Sequence, residues 1–162
     1  MMRRTFVKAA VALAATVGLI VGTAGTALAN DPDNWSSNRM LCQWSKCVKD
    51  SYLTMFWQSI LWADNVGGVD VGTIDGQFGP NTHTRTQRWQ TRHGLQADGE
   101  VGPNTWGKAE NNGRWVYAGM QGSNKLYEYR GLARTVRSKI LDGGLWLFEN
   151  PKDKVWYGLN ST

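Results

Sequence analysis

Asp75-Gly76-Gln77-Phe78-Gly79-Pro80-Asn81-Thr82 returns as Asp98-Gly99-Glu100-Val101-Gly102-Pro103-Asn104-Thr105, so the chain spells D-G-x-x-G-P-N-T twice. No other feature restricts the fold as much. Asp-Gly favours a tight turn, because glycine takes positive φ at no steric cost and an aspartate oxygen accepts bonds from backbone N–H groups just downstream. Gly-Pro then reads as a helix start: proline at the first helical position gives up an N–H that would be unpaired there, and its φ is already near the helical value. Each copy is therefore a turn that launches a helix. The echo extends upstream, where Trp57-Gln58 precedes the first copy and Trp89-Gln90 the second. Trp57 to Asp75 is 18 positions and Trp89 to Asp98 is 9, so the first connector is 9 residues longer, with Val66-Gly67-Gly68-Val69-Asp70-Val71-Gly72 as the extra loop.

The start of the 162-residue chain reads as an address rather than as structure. Arg3, Arg4 and Lys8 precede a small apolar run, and Ala27-Leu28-Ala29 has the form of a cleavage signal, which makes residues 1–29 a signal peptide and Asn30 the expected mature start. The paired arginines leave the general secretory and the twin-arginine routes both open. Without those three residues the 18 Lys+Arg fall to 15, against 13 Asp+Glu. So small an excess is a poor footprint for nucleic acid, and no membrane association is expected once the signal is gone. The excess is uneven: residues 114–162 hold 8 basic and 4 acidic side chains, whereas 30–113 hold 7 and 9.

Residues 30–48 form a polar lead: Asn30 to Ser37, around Trp35, reads as a linker or as disordered, and Cys42 and Cys47 follow, which in an exported protein read first as a disulfide, with a reactive thiol as the alternative. From about Lys49 to Asn65, Leu53, Phe56, Trp57, Ile60 and Leu61 recur at helical spacing. Trp62 falls beside that stripe, on the side of Gln58, and is either covered by the C-terminal segment or exposed as an aromatic platform. A second helix runs from Pro80 to about His93, with Thr82, Thr86, Trp89 and His93 on one side and Arg85, Arg88 and Arg92 making it basic. Gly94-Leu95 closes it. A third starts at Pro103, carries Trp106 and stops at Asn111-Asn112-Gly113. Residues 49–113 are thus helical, whereas 114–162 break into short aromatic and β-branched runs separated by Gly122-Ser123-Asn124, Asp142-Gly143-Gly144 and Asn150-Pro151-Lys152-Asp153. That is the signature of an antiparallel β segment, and the fold class is α+β.

Trp57-Gln58-Ser59-Ile60-Leu61, the two D-G-x-x-G-P-N-T blocks, Trp89-Gln90, Gly94-Leu95 and Trp106 together resemble the peptidoglycan-binding domain of the three-helix type found in bacterial cell-wall hydrolases, over about residues 49–110. The resemblance implies a small three-helix bundle of two pseudo-repeated halves. The chain departs from it at Arg85, where the family usually has a small apolar core residue, and at Thr86, where a valine is common. Arg85 is expected to carry its charge out past the edge of the bundle, or helix two to be slightly rotated. The resemblance does not cover residues 114–162.

Peptidoglycan offers sugar rings with apolar faces and peptide stems with carboxylates, so a binder wants an exposed aromatic ring, side-chain amides and arginine for bidentate capture. Trp62, Gln58, Arg85 and Arg88 supply those types and are the candidate binding residues. Trp57, Trp89 and Trp106 read as core, Asp75 and Asp98 as turn residues, with Gly76, Gly79, Pro80, Thr82, Gln90, Gly99, Gly102, Pro103 and Thr105 completing the motif. No nucleophile with a base is present, Glu100, Glu128 and Glu149 are scattered, and His83 and His93 are ten apart with no second ligand at helical spacing, so neither catalysis nor a metal or cofactor is expected. The expectation is a secreted, non-catalytic protein of the cell wall whose partner is peptidoglycan. The alternatives are an exported interaction or inhibitor module that meets a secreted protein partner through its β segment, and a small cell-wall hydrolase.

Overall fold

In a computed structural model, residues 31–65 and 74–159 are described. The expected signal segment 1–29 and the expected extra loop Val66–Gly72 lie outside them. Helix α1 (Tyr52–Asp64) begins later than the expected Lys49 because Ser51 is its N-cap, with Oγ accepting the Thr54 N–H at 3.0 Å. The residues before it serve the first turn instead: Phe78 N–H donates to Lys49 O at 2.6 Å, and Ser51 N–H to Gly76 O at 3.0 Å. Helices α2 (Pro80–Arg92) and α3 (Pro103–Asn111) each carry proline in the first turn after a glycine N-cap, Gly79 and Gly102. Each turn therefore launches its helix where the two Gly-Pro pairs stand.

Strands β1 (Trp115–Gln121), β2 (Asn124–Arg130), β3 (Thr135–Ile140), β4 (Trp146–Glu149) and β5 (Trp156–Gly158) form one antiparallel sheet in sequential order. The three turn clusters of the sequence supply the β1–β2, β3–β4 and β4–β5 connections. Alternation sorts the side chains onto two faces. Tyr129, Val136, Ser138, Trp146 and Phe148 are buried toward the helices, while Leu126, Glu128, Arg137, Lys139, Leu147 and Trp156 share the other face through the register.

Helices and sheet share one core. Phe56 of α1 meets Trp146 and Phe148 with ring centroids 5.2 and 5.4 Å apart, and Trp57 meets Trp89 and Trp106 at 5.1 and 5.4 Å. Edge-to-face pairs of this kind are worth about 0.5–1.5 kcal/mol each beyond the area they bury. The β2–β3 loop also completes α1: the Ala133 and Arg134 N–H groups both donate to the Ala63 carbonyl, at 2.9 and 3.0 Å, and so satisfy a helix end that would otherwise lack a partner. Gly131 lies so close to Ala63 in this loop that a Cβ would collide with its backbone.

The expected linker corrects to structure. Trp35, in a short 3-10 helix at Trp35–Ser37, is wholly buried and packs on Phe56, Trp106, Trp115, Tyr129 and Trp146. Its backbone N–H donates to Glu110 Oε2 at 3.0 Å. A lone indole among polar residues gives no periodicity, but it lies where helices and sheet meet and fills that junction.

Candidate functional site

The two turns are built alike, atom for atom. In the first, the Gln58 amide nitrogen donates to Asp75 Oδ1 at 2.9 Å, Gln77 O at 3.0 Å and Thr82 Oγ1 at 3.1 Å, while its oxygen accepts Gly76 N–H at 2.9 Å. In the second, Gln90 donates to Asp98 Oδ1 at 2.7 Å, Glu100 O at 2.8 Å and Thr105 Oγ1 at 3.0 Å, and accepts Gly99 N–H at 2.8 Å. Asp75 and Asp98 each take a further backbone N–H two residues on, at 2.9 Å. Gly76 and Gly99 hold φ of +80° and +73°, which a side chain disfavours. A glutamine late in one helix thus clamps the turn that starts the next.

This clamp corrects one expectation. Gln58 does not offer its amide to a ligand; it is buried, with both ends of the amide engaged in the clamp. Arg85 does not extend past the bundle edge either: it is 7% exposed, and its Nε donates to Asn81 Oδ1 at 3.0 Å. Beside it Thr86, wholly buried, accepts the Trp57 indole N–H at 2.9 Å and donates to Thr82 O at 2.8 Å, so a polar residue satisfies the first tryptophan where valine could not. Trp62 is half-buried, and the Arg134 guanidinium lies 4.8 Å from its ring centroid while donating to Trp62 O at 3.0 Å. The C-terminal segment is therefore its cover. Arg88 is exposed on α2, with no side-chain partner among the described residues. The structure thus leaves one of the four candidates, Arg88, open to solvent on the helical face, and a second, Trp62, partly so.

Sequence reasoning passed over Asp64. This wholly buried carboxylate, at the end of α1, accepts the Trp89 indole N–H at 2.6 Å, the Tyr129 hydroxyl at 2.8 Å, the Leu132 N–H at 3.0 Å, and a short bond from Arg114 Nη1. It thereby ties α1, α2 and the sheet at one point. Its charge is compensated by Arg114, as burial demands. Burial, with the Asp64 charge second, pushes the Tyr129 phenol far above the ordinary tyrosine range. His93, whose ring lies 4.0 Å from that of Trp89 and whose Nε2 is 3.9 Å from Asp64, is held below its ordinary pKa by burial, against the opposing pull of the Asp64 carboxylate.

The surface has two concave regions of note. One runs beside the first turn as two adjoining grooves of about 400 and 420 Å³, which share Asp50 and Gln77. The other, about 430 Å³, lies on the outer sheet face, where Lys139 Nζ sits 4.1 Å from the Trp156 ring centroid and Arg137 Nη2 donates to Glu149 Oε1 at 2.8 Å. Cys42 and Cys47 are joined by a disulfide, with Cα atoms 5.4 Å apart. Among the described residues no group of His, Cys, Asp and Glu is arranged to hold a metal ion, and no helix is long and apolar enough to cross a membrane.

Residues 65–108 match the family described as "Putative peptidoglycan binding domain", and this chain carries a peptidoglycan-binding-like domain of the three-helix type. Two proteins stand among its relatives. The zinc D-Ala-D-Ala carboxypeptidase of Streptomyces albus G is 57% identical over 35 residues, which are 22% of this chain and 14% of that enzyme. An uncharacterised protein of Kitasatospora aureofaciens is 41% identical over 54 residues, 33% of this chain and 41% of that protein. The chain therefore spans well under half the length of either relative. No solved structure matches it.

Proposed function

We propose that this is a secreted, non-catalytic protein that binds cell-wall peptidoglycan through its helical domain. The observation that carries this is the family match over residues 65–108, which covers the second clamp whole and the turn of the first. The disulfide and the family's wall partner support an extracellular or cell-wall location. Arg88 captures a stem carboxylate: it is the exposed, unpaired cation of α2, and a guanidinium meets a carboxylate with two parallel bonds. Trp62, under Arg134, contributes an indole edge.

The test is sedimentation of residues 30–162 with insoluble peptidoglycan sacculi, with suspension turbidity followed in the same tube. Protein in the pellet with steady turbidity is the expected result, and Arg88→Ala should lower the bound fraction. Falling turbidity would reveal a hydrolase. A second reading, an interaction or inhibitor module, draws on the outer sheet groove with Lys139 over Trp156. Protein that stays in the supernatant would remove the first reading and favour this one.

A further inference from the structure

The two grooves beside the first turn adjoin, with the exposed Tyr52 in the lining of one and the exposed Trp44 next in the chain to a lining residue of the other. Tyr52, 44% exposed, lines one groove, its ring 5.0 Å from that of Tyr157, whose hydroxyl donates to Asp153 Oδ2 at 2.8 Å. Gln43 and Lys49 line the other, and next to Gln43 in the chain stands Trp44, 49% exposed and edge-on to His83 at 6.1 Å. Asp50 and Gln77 line both grooves. Among the described residues the side chains of Gln43, Lys49, Asp50 and Gln77 make no hydrogen bond or ion pair. Four polar groups are thus free along the floor and walls.

Resting on the peptidoglycan reading, we infer that the adjoining grooves make one trough, a glycan-strand cleft in which sugar rings stack on Tyr52 and Trp44 while the amides and the Asp50 carboxylate bond their hydroxyl and N-acetyl groups. The chemistry selects a sugar. A pyranose offers an apolar C–H face to an aromatic ring and a rim of groups that both donate and accept, which glutamine and aspartate match. An apolar protein segment would find its aromatic contacts interrupted by amides and a carboxylate, and a free carboxylate or phosphate would face Asp50, which lines both grooves.

The Trp44 end is held in place by covalent and backbone bonds. Trp44 lies within the loop closed by Cys42–Cys47, and that loop is paired to the second turn by Leu41 N–H to Val101 O at 3.1 Å and Val101 N–H to Leu41 O at 2.9 Å. Lys46 adds an ion pair to Glu100 at 2.8 Å. An exposed indole fixed in this way loses little freedom when a ring settles on it.

The test titrates residues 30–162 with a soluble β-1,4-linked N-acetylglucosamine tetramer, by calorimetry, beside the sacculus sedimentation. Trp44→Ala and Tyr52→Ala should each weaken tetramer binding about five- to tenfold. Trp44→Phe should recover part of the loss. Tyr117→Ala, which removes a ring 57% exposed on the sheet outside the trough, should leave binding unchanged. The Cys42→Ser/Cys47→Ser double variant should weaken tetramer binding with its melting still a single transition. A wild type that sediments with sacculi yet ignores the tetramer, or that binds it equally well after Trp44→Ala and Tyr52→Ala, would overturn the cleft and leave the wall-binding reading intact. A wild type that neither sediments nor takes up the tetramer would overturn both.

Discussion

Asp64→Asn changes one atom at the point where α1, α2 and the sheet meet. Oδ1 of Asp64 accepts from Arg114 and Leu132, Oδ2 from Trp89 and Tyr129. An amide has one oxygen, so either orientation points an NH2 at two former donors. With NH2 toward Arg114 and Leu132, two N–H groups are orphaned. With NH2 toward Trp89 and Tyr129, the phenol can rotate to accept, but the indole N–H cannot and is left without a partner. The second arrangement is cheaper and still leaves a buried orphan donor, at about 1–3 kcal/mol. Arg114, whose side chain is 21% exposed, also loses its countercharge, although water softens that loss. The sum is about 3 kcal/mol, at the low end of the roughly 3–5 of a wholly buried broken pair because Arg114 reaches solvent. In urea unfolding the midpoint should fall with the slope unchanged, and the melting temperature should drop by about 10 °C for a domain of this size. A loss under about 1 kcal/mol would refute the argument that the four donors depend on an ionised acceptor.

Other outcomes follow from the same geometry. Because burial holds the folded His93 imidazole below its ordinary pKa of 6.5, protonation favours the unfolded chain; stability is full above about pH 6.5 and declines as pH falls through the lowered value, a slope that His93→Gln should flatten in thermal melts. Tyr129 runs the other way: its folded pKa is raised, so its contribution persists below the unfolded 10.0 and is lost as pH climbs above it, and ultraviolet titration should find one phenol that ionises only with unfolding. Gly99→Ala should cost more than Gly94→Ala in denaturant melts. Both hold positive φ, worth about 1–2 kcal/mol for alanine, but only at Gly99 would the new methyl strike the His83 ring. The fragment 30–113 strips the sheet from Phe56 and the loop from the Ala63 carbonyl, and should lack a cooperative transition and bind a hydrophobic dye.

What could be read in advance was what neighbours in the chain decide. Gly-Pro after Asp-Gly starts a helix by local backbone preference, and α2 and α3 begin at Pro80 and Pro103. The meander was legible for a similar reason: its turns are short, and sequential strands pair. Cysteines five apart can reach each other through local chain alone. What stayed hidden depends on residues far apart in sequence. Asp64 gathers Arg114, Tyr129 and Leu132, separated from it by 50 to 68 positions, so nothing near Asp64 marks it. Trp35 is wholly buried because helices and sheet converge there. Gln58 shares a helical side with Trp62, which suggested a common surface, yet one turn along the helix separates a residue facing the turn from one facing the sheet loop. The trough likewise joins Gln43, Asp50 and Gln77 from three segments, with Tyr157 added from the last strand.

Gln77 and Glu100 stand at the same place in the two motifs, and each contributes only backbone groups, its carbonyl to the glutamine and its N–H to the aspartate. The side chain at that place is therefore unconstrained by the framework, and the chain has used the liberty differently in each half. In the first, Gln77 stays exposed and unengaged, bordering the trough. In the second, Glu100 grips Lys46 and so steadies the disulfide loop from which Trp44 projects. The two halves are thus equivalent as scaffolding and divided as surface, one presenting a hydrogen-bonding group and the other anchoring the disulfide loop that carries an exposed indole.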